Sequence, residues 1–279
     1  MNCYNLETLN YKDGLFDDFI EATYILTMEN SDRRKDYMYQ LEQFKPSSVV
    51  HIFHNKGFKK CEKKLNDKVI ENSVNDIIHA YKNAFTHAKK SGYKNILILE
   101  DDFIFSHLLK QNYIIKRIEK MYKHLENSSS AFLLGCLPQI SFYYPYYYRY
   151  ILSSAGAHAI MYNEKSINNI LNNIDSFSDY DFSYKFYVNC YCYKEPLVYQ
   201  LVSETENRNN WGMNIPIIGT IIGVIIVWVY QLLELDKKHE PGTTYVYNFN
   251  VFLYDFVLLF AIIYVIRYYL FKYLFSNKK

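Results

Sequence analysis

Three carboxylates in a row, Glu100-Asp101-Asp102, close the short apolar run Ile96-Leu97-Ile98-Leu99. The run has the length and composition of a buried strand, so the acids fall at the carboxyl edge of a sheet. Like charges this close repel, and the cluster costs stability unless a cation or a positively charged partner compensates it. In an α/β protein the usual compensation is a divalent metal carrying a phosphorylated ligand. The same residues would otherwise be an acidic loop capping a helix that starts near Ser106.

Other residues have the right chemistry to join that cluster. Arg33 and Arg34 follow the first strand, where a guanidinium can pair with a diphosphate or contact a base, or can be an ordinary helix-surface arginine. His158 lies beside the small residues Ala155-Gly156-Ala157. It could ligate a metal as a neutral imidazole or be a hydrogen-bonded core histidine. Asp179 and Asp181 are candidates for a general base, Asp181 first. Both could equally begin a helix, where the macrodipole favours acids. His87, Glu204 and Glu206 read as surface residues.

The elements that must position these groups follow from periodicity. Ala22–Thr27 reads as the first strand, and Ser31 or Asp32 as the cap of a helix bearing Met38, Leu41 and Phe44 and ended by Pro46. Val49–Phe53 is a second strand. Residues 56–72 read as a charged, irregular surface excursion, with Lys59, Lys60, Lys63 and Lys64 as a solvated face. Ile77, Ile78, Tyr81, Ala84, Phe85 and Ala88 share one face of a helix over 74–90, closed by Ser91-Gly92. A helix is expected over 106–126, and strands over 131–135 and 157–162. A tyrosine-rich loop spans 143–150, a helix 164–173, a helical stretch begins at Asp179, and a last strand covers 197–201. Strands alternating with helices predict an α/β domain over residues 1–210 with a mainly parallel, mixed sheet flanked by helices.

The rest of the chain has a different character. Residues 215–233 contain no charge and meet the ~20-residue length of a membrane-spanning helix. A second run, 250–275, is nearly as apolar but contains Asp255 and Arg267, with Lys272 close to its end. With the Pro241-Gly242 turn between them, residues 211–279 read as a transmembrane helical hairpin with spans near 215–235 and 250–275. The alternative is a pair of core helices. The placement of Lys237, Lys238, Lys272, Lys278 and Lys279 slightly favours a cytoplasmic tail, and a hairpin returns the tail to the side of the α/β domain. The amino terminus has no basic flank and no apolar run, so no signal peptide is read there. Five cysteines in no framework spacing read as free thiols of a reducing compartment. One glycosylation sequon, Asn127-Ser128-Ser129, points the other way and is set aside as a chance match. The 31 basic and 29 acidic residues nearly balance, which gives no case for nucleic acid as a partner. The 30 tyrosines and 19 phenylalanines accompany many Asn, Lys and Ile, all with AT-rich codons, so genome bias is the simple reading.

Four segments, in order, resemble family 25 glycosyltransferases. They are Tyr24-Ile-Leu-Thr-Met-Glu-Asn-Ser-Asp-Arg-Arg, the helix and strand from Ala80 to Asp102, Ser154-Ala-Gly-Ala-His-Ala-Ile-Met-Tyr, and the aspartates at 179 to 181. Their order and spacing carry the resemblance, which covers roughly residues 20 to 210. The resemblance implies a GT-A (Rossmann-like) fold, a nucleotide-sugar donor such as a UDP-sugar, and Mn²⁺ or Mg²⁺. It implies Asp102 as direct metal ligand and Glu100 near the ribose or a metal-bound water. His158 is a further candidate ligand, and the arginines lie about the donor; Asp101 either joins them or, alternating to the other side of the strand end, is structural. The tyrosine-rich insertion at 143–150 departs from the family pattern. The function expected is transfer of a sugar to a hydroxyl of a protein or glycan acceptor at a membrane. The alternative is a catalytically inactive, membrane-tethered binding or scaffolding protein. A metal-dependent phosphoryl-transfer enzyme would want a second cluster of His or Asp, which the sequence lacks at convincing spacing.

Overall fold

The computed structural model describes residues 3–145, 147–200, 228, 256–257, 259–270 and 272–273. Its centre is a seven-stranded sheet in the order β1-β3-β2-β6-β9-β10-β8. The strands are β1 (Tyr4–Asn10), β2 (Ala22–Met28), β3 (Val49–Asn55), β6 (Ile96–Glu100), β8 (Ser130–Tyr144), β9 (Tyr148–Tyr162) and β10 (Asn189–Tyr193). Two short ladders lie outside it. One pairs β4 (Lys64–Leu65) with β5 (Lys68–Val69), and the other pairs β7 (Phe103–Phe105) with β11 (Val198–Gln200).

Strand β6 explains why the apolar run has no alternation. Ile96 and Ile98 face one core with Tyr24, Leu26, Tyr81 and Phe85. Leu97 and Leu99 face a second core with Ile25, Leu41, Ile114 and Ile118. All four are fully buried, as a central strand covered on both faces demands. Helices α2 (Ser73–Lys90), α4 (Glu164–Asn173) and α5 (Tyr180–Ser183) cover the first face, and α1 (Arg34–Phe44) and α3 (Asn112–Leu125) the second. The architecture is mixed α/β.

Several expectations need correcting. The sheet is not mainly parallel. Strands β2/β3, β2/β6 and β8/β10 run parallel, but β1/β3, β6/β9, β9/β10 and β8/β9 run antiparallel. The cause is the tyrosine-rich segment, which is not a loop but the tip of a long β8–β9 hairpin. Phe142 pairs with Tyr150 and Tyr144 with Tyr148 across the tip. Aromatic residues favour such a pleated, half-exposed surface. The helix expected over 106–126 is a 3₁₀ turn, His107–Lys110, followed by α3, and β7 precedes both. The excursion 56–72 is not wholly irregular, since it carries β4 and β5. Nor is Lys63 solvated: it is buried and donates to Asp76 and Asn55. Strands β1 and β10 went unread in the sequence.

The cysteines also differ. Cys3 and Cys61 form a disulfide that ties the start of β1 to the excursion, so the free-thiol reading is wrong for this pair. Cys136, Cys190 and Cys192 are free and buried.

The run 215–233 lies outside the described residues except for Trp228. Within the second run, residues 259–270 are helical and every one is exposed. Among the described residues no helix is long and apolar enough to cross a membrane.

Candidate active site

Parallel pairing of β2 with β6 brings their carboxyl ends to one edge of the sheet, which is where open α/β sheets place ligands. The three acids do different things there. Glu100, still in strand register, lies on the face of Ile96 and Ile98, and its Oε1 accepts from the Tyr81 hydroxyl at 3.0 Å. Asp101 turns back toward the first strand. Its Oδ2 accepts from Thr27 Oγ1 and Ser31 Oγ, both at 2.7 Å, and its Oδ1 from Arg33 Nη1 at 2.8 Å. With every donor supplied by the β2–α1 connection, Asp101 is a structural latch rather than a cofactor ligand. Ser31 Oγ, while donating to Asp101, also accepts from Arg33 N at 3.3 Å, and Arg33, the residue before α1, makes no side-chain cap bond.

Asp102 is 3 % exposed. Its Oδ2 accepts from Gln200 Nε2 at 3.0 Å and lies 3.6 Å from Arg33 Nη1. Its Oδ1 is buried with no hydrogen-bond partner among the described residues. Gln200 reaches it because β11 pairs with β7, the strand that directly follows Asp102. Burial pushes the Asp102 carboxyl up to about 6, against the pull of Arg33. Burial, then Asp102 and Asp181, push Glu100 well above the usual carboxylate range.

His158 arrives from β9, one residue before Ala159, which pairs with Leu99. It is 3 % exposed, with Nε2 3.3 Å from the carbonyl of Val198. Its Nδ1 is buried and has no partner among the described residues. Burial lowers its pKa to about 4, so the ring is neutral. Nε2 then carries the proton toward Val198, and Nδ1 presents a bare lone pair. Gly156 (φ +79°) leaves that lone pair accessible: a Cβ there would stand 3.1 Å from Nδ1 and 3.4 Å from Gln200 Oε1. Gly135 lets the ring lie flat, since a Cβ there would overlap His158 Nε2 and the Val198 carbonyl.

The two aspartates of α5 separate. Asp179 is the helix cap, its Oδ1 accepting from Phe182 N at 2.9 Å, so it is not free to act as a base. Asp181 faces the edge, and its Oδ2 accepts from Gly156 N at 3.2 Å. Burial raises its pKa, and Lys185 opposes the shift. Lys185 Nζ donates to the Ser154 carbonyl at 3.1 Å and to the Asp181 carbonyl.

Thus Glu100, Asp102, His158, Asp181 and Arg33 share one end of the sheet. Arg34 is placed elsewhere: it forms a bidentate pair with Glu7 of β1 at 2.9 Å. His87 is not a surface residue either, since its Nδ1 meets the Tyr24 hydroxyl at 2.9 Å beside His51. Glu204 and Glu206 lie outside the described residues. Tyr81 was read only as core, and Gln200, Thr27 and Lys185 gave no sequence signal. Only the contacts between distant segments reveal them.

Among the described residues, no three His, Cys, Asp or Glu side chains form a metal-holding group. Asp102 Oδ1 and His158 Nδ1 are, with His51 Nε2, Ser154 Oγ and Tyr184 Oη, buried atoms without a hydrogen-bond partner among the described residues, and of these the first two are metal-ligand types at this edge of the sheet. Mg²⁺-type sites use one or two protein ligands and complete the shell with water and substrate phosphate oxygens. Buried polar atoms without partners are rare enough to call for such an explanation.

No family model matches the chain. No curated protein matches it. Among solved structures, the crystal structure of A197 from STIV overlays with a TM-score of 0.42 and 9 % sequence identity, covering 66 % of this chain and 87 % of that one. A likeness this distant carries no argument about activity.

Proposed function

We propose that the carboxyl edge of the sheet is the active site of a metal-dependent, GT-A-like glycosyltransferase. It would take a nucleoside-diphosphate sugar and glycosylate a hydroxyl acceptor. The observation that carries this reading is the pair of buried, unpartnered acceptors, Asp102 Oδ1 and His158 Nδ1, set among mutually repelling carboxylates. Asp102 and His158 would hold Mn²⁺ or Mg²⁺, whose role when bound is to offset the charge of the departing diphosphate.

The chain's own residues supply the rest. The Asp101 latch fixes the β2–α1 connection and holds Arg33 at the edge, where its guanidinium can also pair with diphosphate oxygens. Tyr81 orients Glu100 at the same edge. Asp181 is the assigned general base, taking the acceptor hydroxyl proton as that oxygen attacks the anomeric carbon. A carboxylate with a raised pKa is the better base near neutral pH. The Gly156 amide hydrogen bond fixes the direction in which Asp181 points.

The test is thermal stabilisation of the detergent-solubilised full chain by a panel of nucleotide sugars, with and without Mn²⁺. Mn²⁺-dependent stabilisation by at least one donor, lost in Asp102→Asn, is expected. No metal-dependent stabilisation by any donor would sink the reading. Binding that survives intact in Asp181→Asn, with hydrolysis of the donor abolished, would assign Asp181 to chemistry rather than to binding.

A further inference from the structure

Two features on separate parts of the fold share one requirement. The first is the Cys3–Cys61 disulfide. Disulfides form and persist in oxidising compartments and are rare where glutathione and thioredoxin keep thiols reduced. The other three cysteines are 1–3 % exposed, out of reach of thiol exchange in the folded protein.

The second is the sequon Asn127-Ser128-Ser129, the single Asn-x-Ser/Thr in the chain. It forms the turn between α3 and β8. The backbone of the turn is anchored: Lys165 Nζ donates to the Asn127 carbonyl at 2.7 Å, and Asn163 Nδ2 to the Ser128 carbonyl at 2.8 Å. The Asn127 side chain itself is exposed, and its amide bonds to none of the described residues. A sugar on Nδ2 would leave into solvent without breaking a contact. An anchored turn with an outward, unengaged asparagine is the geometry that tolerates a bulky surface modification.

We propose that Asn127 is an N-glycosylation site, and that the α/β domain resides in the oxidising lumen where this modification and the Cys3–Cys61 disulfide are both made. In the transfer, Asn127 Nδ2 forms a bond to the anomeric carbon of a polyprenyl-diphosphate-linked oligosaccharide. The bond from that carbon to the phosphate oxygen breaks, the polyprenyl diphosphate leaves with the electron pair, and the amide proton passes to a base of the transferase. Formation of the disulfide removes two electrons and two protons from Cys3 and Cys61, accepted by a disulfide-form oxidoreductase of the same compartment. This side is the opposite of the cytoplasmic one suggested by the lysines at 237–238 and 272–279. That orientation leaned on a small charge bias, on free thiols and on the reading of the first residues as no signal peptide, and the disulfide removes the second of these supports. The proposal stands independently of the glycosyltransferase reading.

The test uses the unaltered full chain expressed in yeast cells. Endoglycosidase treatment should shift its gel band by one glycan, and the shift should be absent in Asn127→Gln and in Ser129→Ala. Maleimide labelling after denaturation should count three reactive thiols without reductant and five with it. A wild-type band that endoglycosidase does not move overturns the proposal, as do five reactive thiols before reduction. Because the sugar is added during synthesis, a folding defect in either variant leaves the gel readout interpretable.

Discussion

At the scale of single residues, the site depends on how His158 is held. The ring occupies the space that the missing Gly135 side chain leaves, under the Val198 carbonyl. Gly135→Ala therefore forces the imidazole or β11 to move, a change of the overpacking kind that costs roughly 1–3 kcal/mol. The expected outcome is a protein that still melts cooperatively but has lost most of its Mn²⁺-dependent stabilisation by nucleotide sugar. An unchanged metal response would remove His158 from the ligand set. A second residue-scale consequence concerns acid. His51 is 6 % exposed, and burial, helped by His87, lowers its pKa to about 4. In the unfolded chain it titrates near 6.5, so between 6.5 and about 4 the unfolded state binds more protons. Its contribution is complete above 6.5 and lost as pH falls through that window, with a total of roughly 3 kcal/mol at 1.4 kcal/mol per unit. His79 is lowered to about 4 as well, mainly by burial, and adds in the same direction. Denaturant melts from pH 7 to pH 4 should show this loss, and His51→Gln should make it shallower. A slope unchanged in the variant would count against the assignment.

At the scale of elements, the excursion between β3 and α2 is held by a buried ion pair. Lys63 donates to Asp76 and to Asn55, while Asp76 Oδ2 accepts from Phe58 N at 3.1 Å. Removing one partner leaves a buried uncompensated charge, so Lys63→Met and Asp76→Asn should each cost about 3–5 kcal/mol. The double variant should lose clearly less than the sum of the two. Additive losses in urea melts would mean that the two charges act independently.

The ion pair also marks where sequence reading stops. Strand β6 and α2 were legible because each obeys a local rule: an apolar run and a 3.6-residue stripe. The carboxylate cluster was legible for the same reason, since all its members are adjacent in sequence. Lys63 looked solvated because its partner lies 13 residues on, in the first turn of α2. The β8–β9 hairpin was hidden because Pro145 and the surrounding tyrosines read as a turn-rich loop, when the proline only marks the tip. Gln200 and Tyr81 reach the site through strand pairing and helix docking, and neither leaves a signal in neighbouring residues. Ser31 or Asp32 reads as a helix cap; the Ser31 hydroxyl does accept from Arg33 N at the helix start, but its bond to Asp101 had no signal in the sequence.

At the scale of the whole molecule, the helical residues 259–270 stand apart from both cores. Phe260, Ile262, Ile263, Val265 and Ile266 are each about half exposed. A soluble monomer rarely leaves so large a contiguous apolar surface to water. Twelve helical residues reach only ~18 Å, short of the ~30 Å hydrocarbon core. The run 250–275, which carries Asp255, Arg267 and Lys272, is long enough in sequence, and residues 215–233 supply a second. Membrane anchoring remains the proposal that this exposed surface supports, and it predicts a definite behaviour with lipid. The full chain should float with liposomes in a density gradient and resist extraction at high pH. Replacing Ile262 and Ile266 by arginine puts two charges one turn apart on the helix, each costing roughly 3 kcal/mol near a bilayer centre. If 250–275 spans, that variant should become extractable while a variant of the exposed β8–β9 hairpin, Tyr143→Ser, stays anchored. Wild-type chain that remains at the bottom of the gradient would end the membrane reading, and with it the claim that the acceptor is met at a lipid surface.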